Sequence, residues 1–242
     1  MNIKKVTFTG IDDGSSVSDM EFLSDYFTNV EWGILYSPSR AGNGGRYPSV
    51  AKIQQILEDA PERLSLALHI CGIGVFDFLN DETTISNLVS KLNARRGRVQ
   101  LNFNYSRSPF SIDLLEKKIS EYPRIKFIAQ IHGGNSSILD SLEKIGVTFL
   151  HDSSGGNGRS PEEWPLPRGE FCGYAGGLGP GNIVNELSKI SNLFNENSLN
   201  NRVNVWVDME SSLRNKHDEF DFFKCYKVLA LMTIHDYVSV WS

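Results

Sequence analysis

Glycine-rich segments and carboxylate side chains recur where short apolar segments of this sequence end, and the glycine-rich segments suit the binding of small anions. The clearest is Ala175 to Asn182, which follows an apolar segment and precedes one of helical periodicity. Glycines let the backbone approach a ligand and turn its N–H groups toward it, and Pro180 suits a helix start. Free N–H groups at a helix start bind anions. We therefore predict phosphate contacts at Gly176 and Gly177, with a tight glycine turn as the alternative.

A carboxylate occupies a second such position. Asp152 follows Leu150 and His151 and precedes a loop that contains Gly155 and Gly156. A carboxyl group acts as a general acid or base where burial and neighbours adjust its pKa. We predict a catalytic role for Asp152 and substrate contacts at Gly155 and Gly156. In the alternative, Asp152 caps its own loop through an Asx-turn.

Two further segments carry polar groups suited to the same ligand. Ser211 and Ser212 follow Asp208, so the serines are predicted to complete a phosphate site and Asp208 to contact a sugar hydroxyl or a partner side chain. Arg40 and Arg46 lie in a long loop, and a guanidinium binds a carboxylate or phosphate through paired N–H donors. Solvated loop charges are the alternative for each arginine.

The elements that must position these residues alternate between apolar strands and helical segments, which is typical of a parallel α/β protein. Strands are predicted at residues 5–10, 31–37, 64–71, 99–105, 125–132, 147–152, 171–175 and 203–209. Helices are predicted at 18–27, 49–57, 84–92, 112–119, 136–145, 183–194 and 220–231. The chain of 242 residues is close to the roughly 250 typical of a (β/α)8 barrel. We predict a single TIM-barrel domain over residues 1–242, with phosphate bound after strands 7 and 8.

Polar residues at inward-facing strand ends lie at the mouth of such a barrel, where barrel enzymes carry out their chemistry. This rule nominates Thr9, Cys71, Asn104, His132, Asp152 and Asp208. A polar layer that serves only to hydrogen-bond within the barrel is the alternative for each. His69, His132 and Asp208 have metal-ligand side chains, but their spacing gives no support to a metal site. No cofactor is predicted.

Composition narrows the class of partner. The 24 Lys and Arg residues against 29 Asp and Glu give a net charge of -5, so no basic footprint for nucleic acid is present. No apolar run approaches the roughly 18 residues of a membrane span, and no signal peptide is expected. Three scattered cysteines without a CxxC pair favour reduced thiols and a cytoplasmic protein. The expected partner is a small phosphorylated substrate, and the oligomeric state stays open.

These segments together resemble phosphoribosylanthranilate isomerase, a (β/α)8 barrel of tryptophan biosynthesis. The run from Ala175 to Asn182 reproduces the family's strand 7 phosphate loop, Ala-Gly-Gly-Leu-x-Pro-x-Asn. Asp152, the glycines after it and Trp164 match an aspartate, a glycine loop and a tryptophan of the family. Residues 33–49 echo its Ser-Pro-Arg-Tyr segment. The resemblance implies that Asp152 is the acid and that Arg46, or alternatively Arg40, contacts the substrate.

The sequence also departs from the family. Thr9 stands where the family has the cysteine that serves as general base, and a threonine hydroxyl is too weak an acid to replace it unaided. Thr9 is retained as a substrate contact. Cys71 lies in a similar motif, but on strand 3. Strand 4 has Gln100 to Phe103 in place of Gln-Leu-His-Gly, and strand 8 has Ser212 and Arg214 in place of glycine and glutamate.

Three hypotheses follow. The first is an aldose–ketose type isomerase that acts on a phosphorylated sugar or sugar-amine, with Asp12, Cys71 or Asp208 as the base. The second is another lyase or isomerase on the same phosphate-binding barrel, since one scaffold hosts many chemistries. The third is a non-catalytic barrel that binds phosphate esters and has lost the base.

Overall fold

Eight parallel strands close into one barrel, with neighbours paired in chain order and the last strand paired with the first. The computed structural model describes residues 1–152, 158–199 and 202–241. The strands are β1 (Asn2–Thr9), β2 (Val30–Tyr36), β3 (Ser65–Cys71), β4 (Arg98–Asn102), β5 (Lys126–Ile131), β6 (Thr148–Asp152), β7 (Phe171–Ala175) and β8 (Asn204–Met209). The predicted (β/α)8 barrel is confirmed.

Helices cover the outside of the barrel. They are α1 (Val17–Tyr26), α2 (Val50–Asp59), α3 (Ile73–Leu79), α4 (Thr83–Ala94), α5 (Ile112–Ser120), α6 (Leu139–Lys144), α7 (Ile183–Glu196) and α8 (Phe222–Ile234). Short 3-10 helices span Gly133–Ile138 and Ser211–Leu213. Side chains of Ser16, Ser49, Ser111 and Asp221 accept hydrogen bonds from backbone N–H groups of the following turn. These caps satisfy donors that a helix start leaves without partners.

Besides shifts of one to three residues at other boundaries, the predicted elements differ from the structure in three places. The strand expected to reach residue 105 ends at Asn102, because Asn104 starts a turn. The helix expected at 136–145 is divided into a 3-10 turn and α6. Helix α3 was not predicted, since its seven residues include glycine and β-branched or aromatic side chains that favour helix weakly. Burial of Val75, Phe78 and Leu79 stabilises it instead.

Alternate residues of the strands face two different cores. On β8, Val205 and Val207 pack in the main hydrophobic core, whereas Trp206 lies in a separate cluster with Ile128 and Leu150. Successive side chains of this strand therefore point to opposite sides of the sheet. A side chain at Gly173 would overlap the indole of Trp206, so a glycine on the neighbouring strand leaves room for this large residue.

A buried ion pair lies at the amino-terminal ends of the strands. Arg98 Nε donates to Glu31 Oε2 at 2.9 Å, and Glu31 also accepts hydrogen bonds from Thr7 and Ser65. Burial alone would raise the pKa of Glu31, but the charges of Arg98 and Lys5 and these hydrogen bonds lower it to about 2. The pair is therefore charged at neutral pH, at the end of the barrel opposite the predicted site.

The last described residues pack back on the barrel. Thr28 N donates to Ser239 O at 2.9 Å, and Trp241 Nε1 donates to Ser24 O at 3.0 Å. Val240 and Phe27 form an antiparallel bridge. This segment therefore holds the end of α1 against the barrel. Across the described ranges, every helix is too short or too polar to span a bilayer.

Candidate active site

The carboxyl-terminal ends of the strands enclose a cavity of about 380 Å³. Its lining includes many of the residues that the sequence singled out: Thr9, Arg40, Arg46, Cys71, Asp152, Gly176, Gly177, Asp208, Ser211 and Ser212. The structure therefore brings the loops after β7 and β8 together with three of the four candidate acid–base residues. This is the end at which barrel enzymes carry their chemistry.

The loop after β7 presents two consecutive glycines to the cavity. Gly176 and Gly177 have φ values of +123° and +64°, a region that favours glycine. A Cβ on Gly177 would lie 2.8 Å from Gly158 O, so a side chain there would meet backbone. Asn182 fixes the loop, accepting from Gly179 N and donating to Gly177 O, both at 2.9 Å. These contacts explain the asparagine of the motif and leave the loop backbone beside the cavity.

The loop after β8 closes against that loop. The Ser212 hydroxyl donates to the carbonyl oxygen of Leu178. Ser211 accepts a hydrogen bond from Arg46 Nη1 at 3.2 Å, and the same nitrogen donates to Glu210 Oε1 at 2.6 Å. Arg46 is therefore held on the β8 side of the mouth, beside the serines. Its charge is partly balanced by Glu210.

Arg40 lies at the exposed rim. Its guanidinium stacks over the ring of Tyr47 at 5.2 Å from the centroid. Burial raises the pKa of Tyr47 to about 12, so its phenol keeps its proton at neutral pH. The two arginines therefore occupy different parts of the mouth, with Arg46 nearer the loop after β8.

Asp208 is a buried carboxyl group at the floor of the cavity. Thr9 Oγ1 donates to Asp208 Oδ1 at 2.7 Å, and His69 Nε2 lies 3.9 Å from Oδ2. Burial raises the pKa of Asp208 to about 8 and lowers that of His69 to about 3. The imidazole is thus neutral at neutral pH, and most of the Asp208 population is protonated. A carboxyl group with a pKa near the working pH is suited to both taking and giving a proton.

Asp152 lies across β7 from Asp208 at the same height. The register pairs Asp152 with Ala175 and Ala175 with Asp208. Two strand spacings place the two backbone positions about 10 Å apart. Gln130 Nε2 donates to Asp152 Oδ2 at 3.3 Å, and a Cβ on Gly176 would lie 3.9 Å from Asp152 Oδ1. The two carboxyl groups therefore flank the strand that leads into the glycine loop.

Cys71 enters the cavity from β3 as a thiol. Burial raises its pKa to about 11, so the thiolate is scarce at neutral pH. Asn102 Nδ2 donates to its sulfur at 3.4 Å, and its own S–H donates to His69 O. The environment of Cys71 does not supply the base that the family's strand 1 cysteine provides.

Asp12 lies outside this cavity. Its Oδ2 pairs with Arg214 Nη2 at 3.0 Å and accepts from Phe220 N at 2.7 Å, while Ser15 Oγ donates to Oδ1 at 2.8 Å. It thus ties the segment after β1 to the segment before α8. Asp12 therefore lies apart from the other candidate bases, and its role as a base stays a prediction.

Two of the nominated strand-end residues serve the backbone. Asn104 Oδ1 accepts from Ser106 Oγ at 2.8 Å and from Arg107 N at 3.2 Å, in the turn after β4. His132 Nδ1 accepts from Gly134 N at 3.1 Å at the start of a 3-10 helix. His132 is therefore apart from His69 and Asp208. In the ranges that the structure covers, no three His, Cys, Asp or Glu side chains are grouped to hold a metal ion.

Gly155 and Gly156, which are predicted to contact the substrate, lie outside the described residues. Trp164, which the resemblance also singled out, donates from Nε1 to Glu186 Oε2 at 2.8 Å and packs edge-on against Tyr174. It covers the outside of the barrel near α7 and does not line the cavity.

Sequence reasoning missed a group of carboxamides in the cavity. Gln100, Asn102 and Gln130 all line it, from the neighbouring strands β4 and β5. Alternation along β4 puts Gln100 and Asn102 on one face of the strand with Asn104, and this signal could have found them. The predicted strand runs to residue 105 and not to Asn102, so it favours Asn104 as the strand-end residue instead. Glu210 also lines the cavity and had been given no role.

No protein-family model matches the sequence, and no curated protein matches it. Solved structures do match it in fold. TrpF from Jonesia denitrificans superposes with a TM-score of 0.61 at 14% identity, over 96% of this chain and 98% of that one. Phosphoribosyl anthranilate isomerase from Thermotoga maritima gives 0.57 at 17%, over 98% and 100%.

A third solved structure carries a ligand. It is phosphoribosyl anthranilate isomerase in complex with reduced 1-(o-carboxyphenylamino)-1-deoxyribulose 5-phosphate. It superposes with a TM-score of 0.57 at 17% identity, over 95% of this chain and 97% of that one. The fold of this chain is therefore that of the phosphoribosylanthranilate isomerase barrels, across nearly its whole length.

Proposed function

We propose that the protein is an isomerase that interconverts aldose and ketose forms of a phosphorylated sugar or sugar-amine. One observation carries the proposal. Asp152 and Asp208 lie in register on either side of Ala175, and that residue leads directly into the Gly176–Gly177 loop. A molecule whose phosphate meets the loop would have its carbon chain between the two carboxyl groups. The ligand of the third solved structure is a phosphorylated ketose-amine, which supports this substrate class.

Asp208 is the best candidate for the base. Three observations support this choice: Asp12 pairs with Arg214 outside the cavity, burial raises the pKa of Cys71 to about 11, and Asp208 lines the cavity with a pKa raised to about 8. Such a carboxylate is a stronger base than an ordinary one, and a useful fraction is ionised near neutral pH. Thr9, in the position of the family's cysteine, would position this carboxyl through its hydrogen bond.

The proposed step moves protons only. The Asp208 carboxylate takes the proton from C2 while Asp152 gives one to the atom bonded to C1, which forms an enediol or enolamine. Asp152 then accepts the proton from the oxygen on C2, and Asp208 returns its proton to C1. Both carboxyl groups end as they began, and no oxidant is needed. The loop backbone and Ser211 would hold the phosphate throughout.

Hydrogen–deuterium exchange tests the proposal. The purified protein is incubated in D2O with a panel of phosphorylated aldoses and with phosphoribosylanthranilate, and proton NMR follows the carbons next to the carbonyl. A proton that passes through a carboxyl group exchanges with solvent, so deuterium should enter the substrate. The Asp208→Asn and Asp152→Asn variants should each lose about 10²- to 10⁴-fold in rate. No exchange on any member of the panel at high protein concentration would refute isomerase activity.

A non-catalytic phosphate-ester-binding barrel is the second candidate function. It is favoured by one observation: Thr9 stands where the family has a thiol on β1, and its hydroxyl donates a hydrogen bond to Asp208. The same panel separates the two functions. A binding barrel would bind the esters in calorimetry, with no deuterium incorporation and no dependence of affinity on Asp152.

A further inference from the structure

The wall of the cavity formed by β4 and β5 carries carboxamide side chains. Gln100 and Asn102 on β4 and Gln130 on β5 present three carboxamides to the cavity. In an eight-stranded barrel, β4 lies across from β8. These side chains therefore face the part of a ligand that is farthest from a phosphate bound by the loops after β7 and β8.

One of these carboxamides has an unused acceptor. Asn102 donates from Nδ2 to the Cys71 sulfur, which leaves its Oδ1 to accept from Gln100 Nε2 at 2.9 Å. These two hydrogen bonds hold the Gln100 carboxamide by its Nε2 and do not use its Oε1. Gln100 is only 2% exposed, and within the described ranges its Oε1 has no hydrogen-bond partner. A buried acceptor without a partner is unfavourable, and such groups are rare in folded proteins. A ligand donor in the cavity would remove the penalty.

The chemistry of this wall discriminates between ligands. A flat aromatic ring would desolvate the carboxamides and give them no hydrogen bonds in return. A hydroxyl group can donate a hydrogen bond to the Gln100 Oε1 that Asn102 does not use, which a ring carbon cannot do. A site built to hydrogen-bond a hydroxyl rejects an analogue that lacks it.

We propose that the substrate segment against β4 and β5 is a hydroxylated carbon chain, so the substrate is a phosphorylated polyhydroxy aldose or ketose and not an arylamine. Gln100 is then a binding residue that accepts a hydrogen bond from a substrate hydroxyl. This inference rests on the proposed function, because it takes the phosphate to lie at the loops after β7 and β8.

Three unreactive probes test it by calorimetry. They are inorganic phosphate, ribitol 5-phosphate and reduced 1-(o-carboxyphenylamino)-1-deoxyribulose 5-phosphate. Ribitol 5-phosphate should bind more tightly than either of the other two. The Gln100→Leu variant should weaken its binding about tenfold and leave inorganic phosphate within about twofold of the wild type. The unchanged phosphate affinity also shows that the variant is folded. Gln55→Leu, the same change on the exposed face of α2, is the matched control and should leave all three affinities unchanged.

The outcomes separate this inference from the function on which it rests. Tighter binding of the arylamine than of ribitol 5-phosphate would overturn the inference while leaving phosphate recognition intact. An unchanged ribitol 5-phosphate affinity in Gln100→Leu would do the same. Failure of all three probes to bind would overturn the phosphate site, and with it both proposals.

Discussion

Asp208 owes its chemistry to its surroundings and not to its residue type. An exposed aspartate is ionised at neutral pH and is a weak base. Here burial raises the pKa of the carboxyl group to about 8, and the Thr9 hydroxyl limits the rise by donating to the charged form. The base that the family places on β1 is therefore proposed to lie on β8, with the β1 residue reduced to a positioning role.

The pH dependence of the reaction should reveal the hydrogen bond between Thr9 and Asp208. If Asp208 acts as a carboxylate, kcat/KM for deuterium exchange should rise with pH and level off above about 8. Thr9→Val removes a hydrogen bond that favours the ionised form, so the rising limb should move to higher pH. A shift of about one pH unit would lower the rate at pH 7 about tenfold and keep the plateau. Thr148→Val, at the far end of β6, is the control. An unmoved limb in Thr9→Val would contradict the role of the pair.

The raised pKa of Asp208 should also make the free energy of unfolding depend on pH, in a direction that can be worked out. The folded pKa of Asp208 lies above its ordinary value of 3.8, so the folded state holds this proton more tightly. Its contribution to the free energy of unfolding is complete below about pH 4 and is lost as pH rises toward 8. Asp208→Asn cannot titrate. Urea unfolding at pH 5 and pH 8 should therefore show the variant gaining stability relative to the wild type at the higher pH. Parallel changes in both proteins would contradict the raised pKa.

At the scale of elements, the connection between β7 and α7 requires glycine, because a side chain at Gly177 would meet the backbone of a neighbouring segment. Gly177 needs a positive φ and also abuts the backbone of Gly158 and Ser160. The two requirements can be tested separately, because Gly146 has a φ of +81° but nothing within 4 Å of its Cβ position.

Alanine at these two glycines should separate strain from crowding. Gly177→Ala and Gly146→Ala should each lose about 1 kcal/mol of stability from the left-handed backbone conformation. Only Gly177→Ala should also weaken the binding of phosphate esters, by tenfold or more, since its loop must shift away from the neighbouring segment. Equal affinities in the two variants, measured by calorimetry, would place the phosphate elsewhere.

The elements were predictable where a pattern repeats and unpredictable where packing decides. All eight strands follow from short apolar segments at the spacing of βα units. The ends of those segments pick out Asp152, Asp208 and the glycine loop. Helix α3 forms because its apolar side chains are buried, which local propensity does not show. The role of Gln100 depends on where β4 ends and on the partners of Asn102, which are properties of the fold and not of either residue alone.

For the whole molecule, closure of the barrel buries charge as well as apolar surface. Arg98 and Glu31 are 4% and 0% exposed, and the guanidinium also lies 4.5 Å over the ring of Trp206. Removing one partner of such a pair leaves an uncompensated charge in the interior, which is far less favourable than removing both.

Arg98→Met should therefore lower the free energy of unfolding by about 3–5 kcal/mol in urea denaturation. The double variant Glu31→Gln and Arg98→Met should recover much of that loss. Arg63→Met breaks an exposed pair with Asp25 and Glu21 and should change stability far less, since water solvates the carboxylates that remain. A double variant no more stable than Arg98→Met would show that Glu31 is not the source of the loss.

The glycine opposite Thr9 determines which side chains the end of β1 can carry. Thr9 pairs with Gly33 on β2, and any side chain at position 33 would overlap the threonine hydroxyl. The space at the end of β1 is thus kept open by a neighbour, and a thiol or a hydroxyl of similar size can occupy it without rearranging either strand. We infer that position 9 can exchange a hydroxyl for a thiol in a single replacement, because the room for either group is provided by the neighbouring strand.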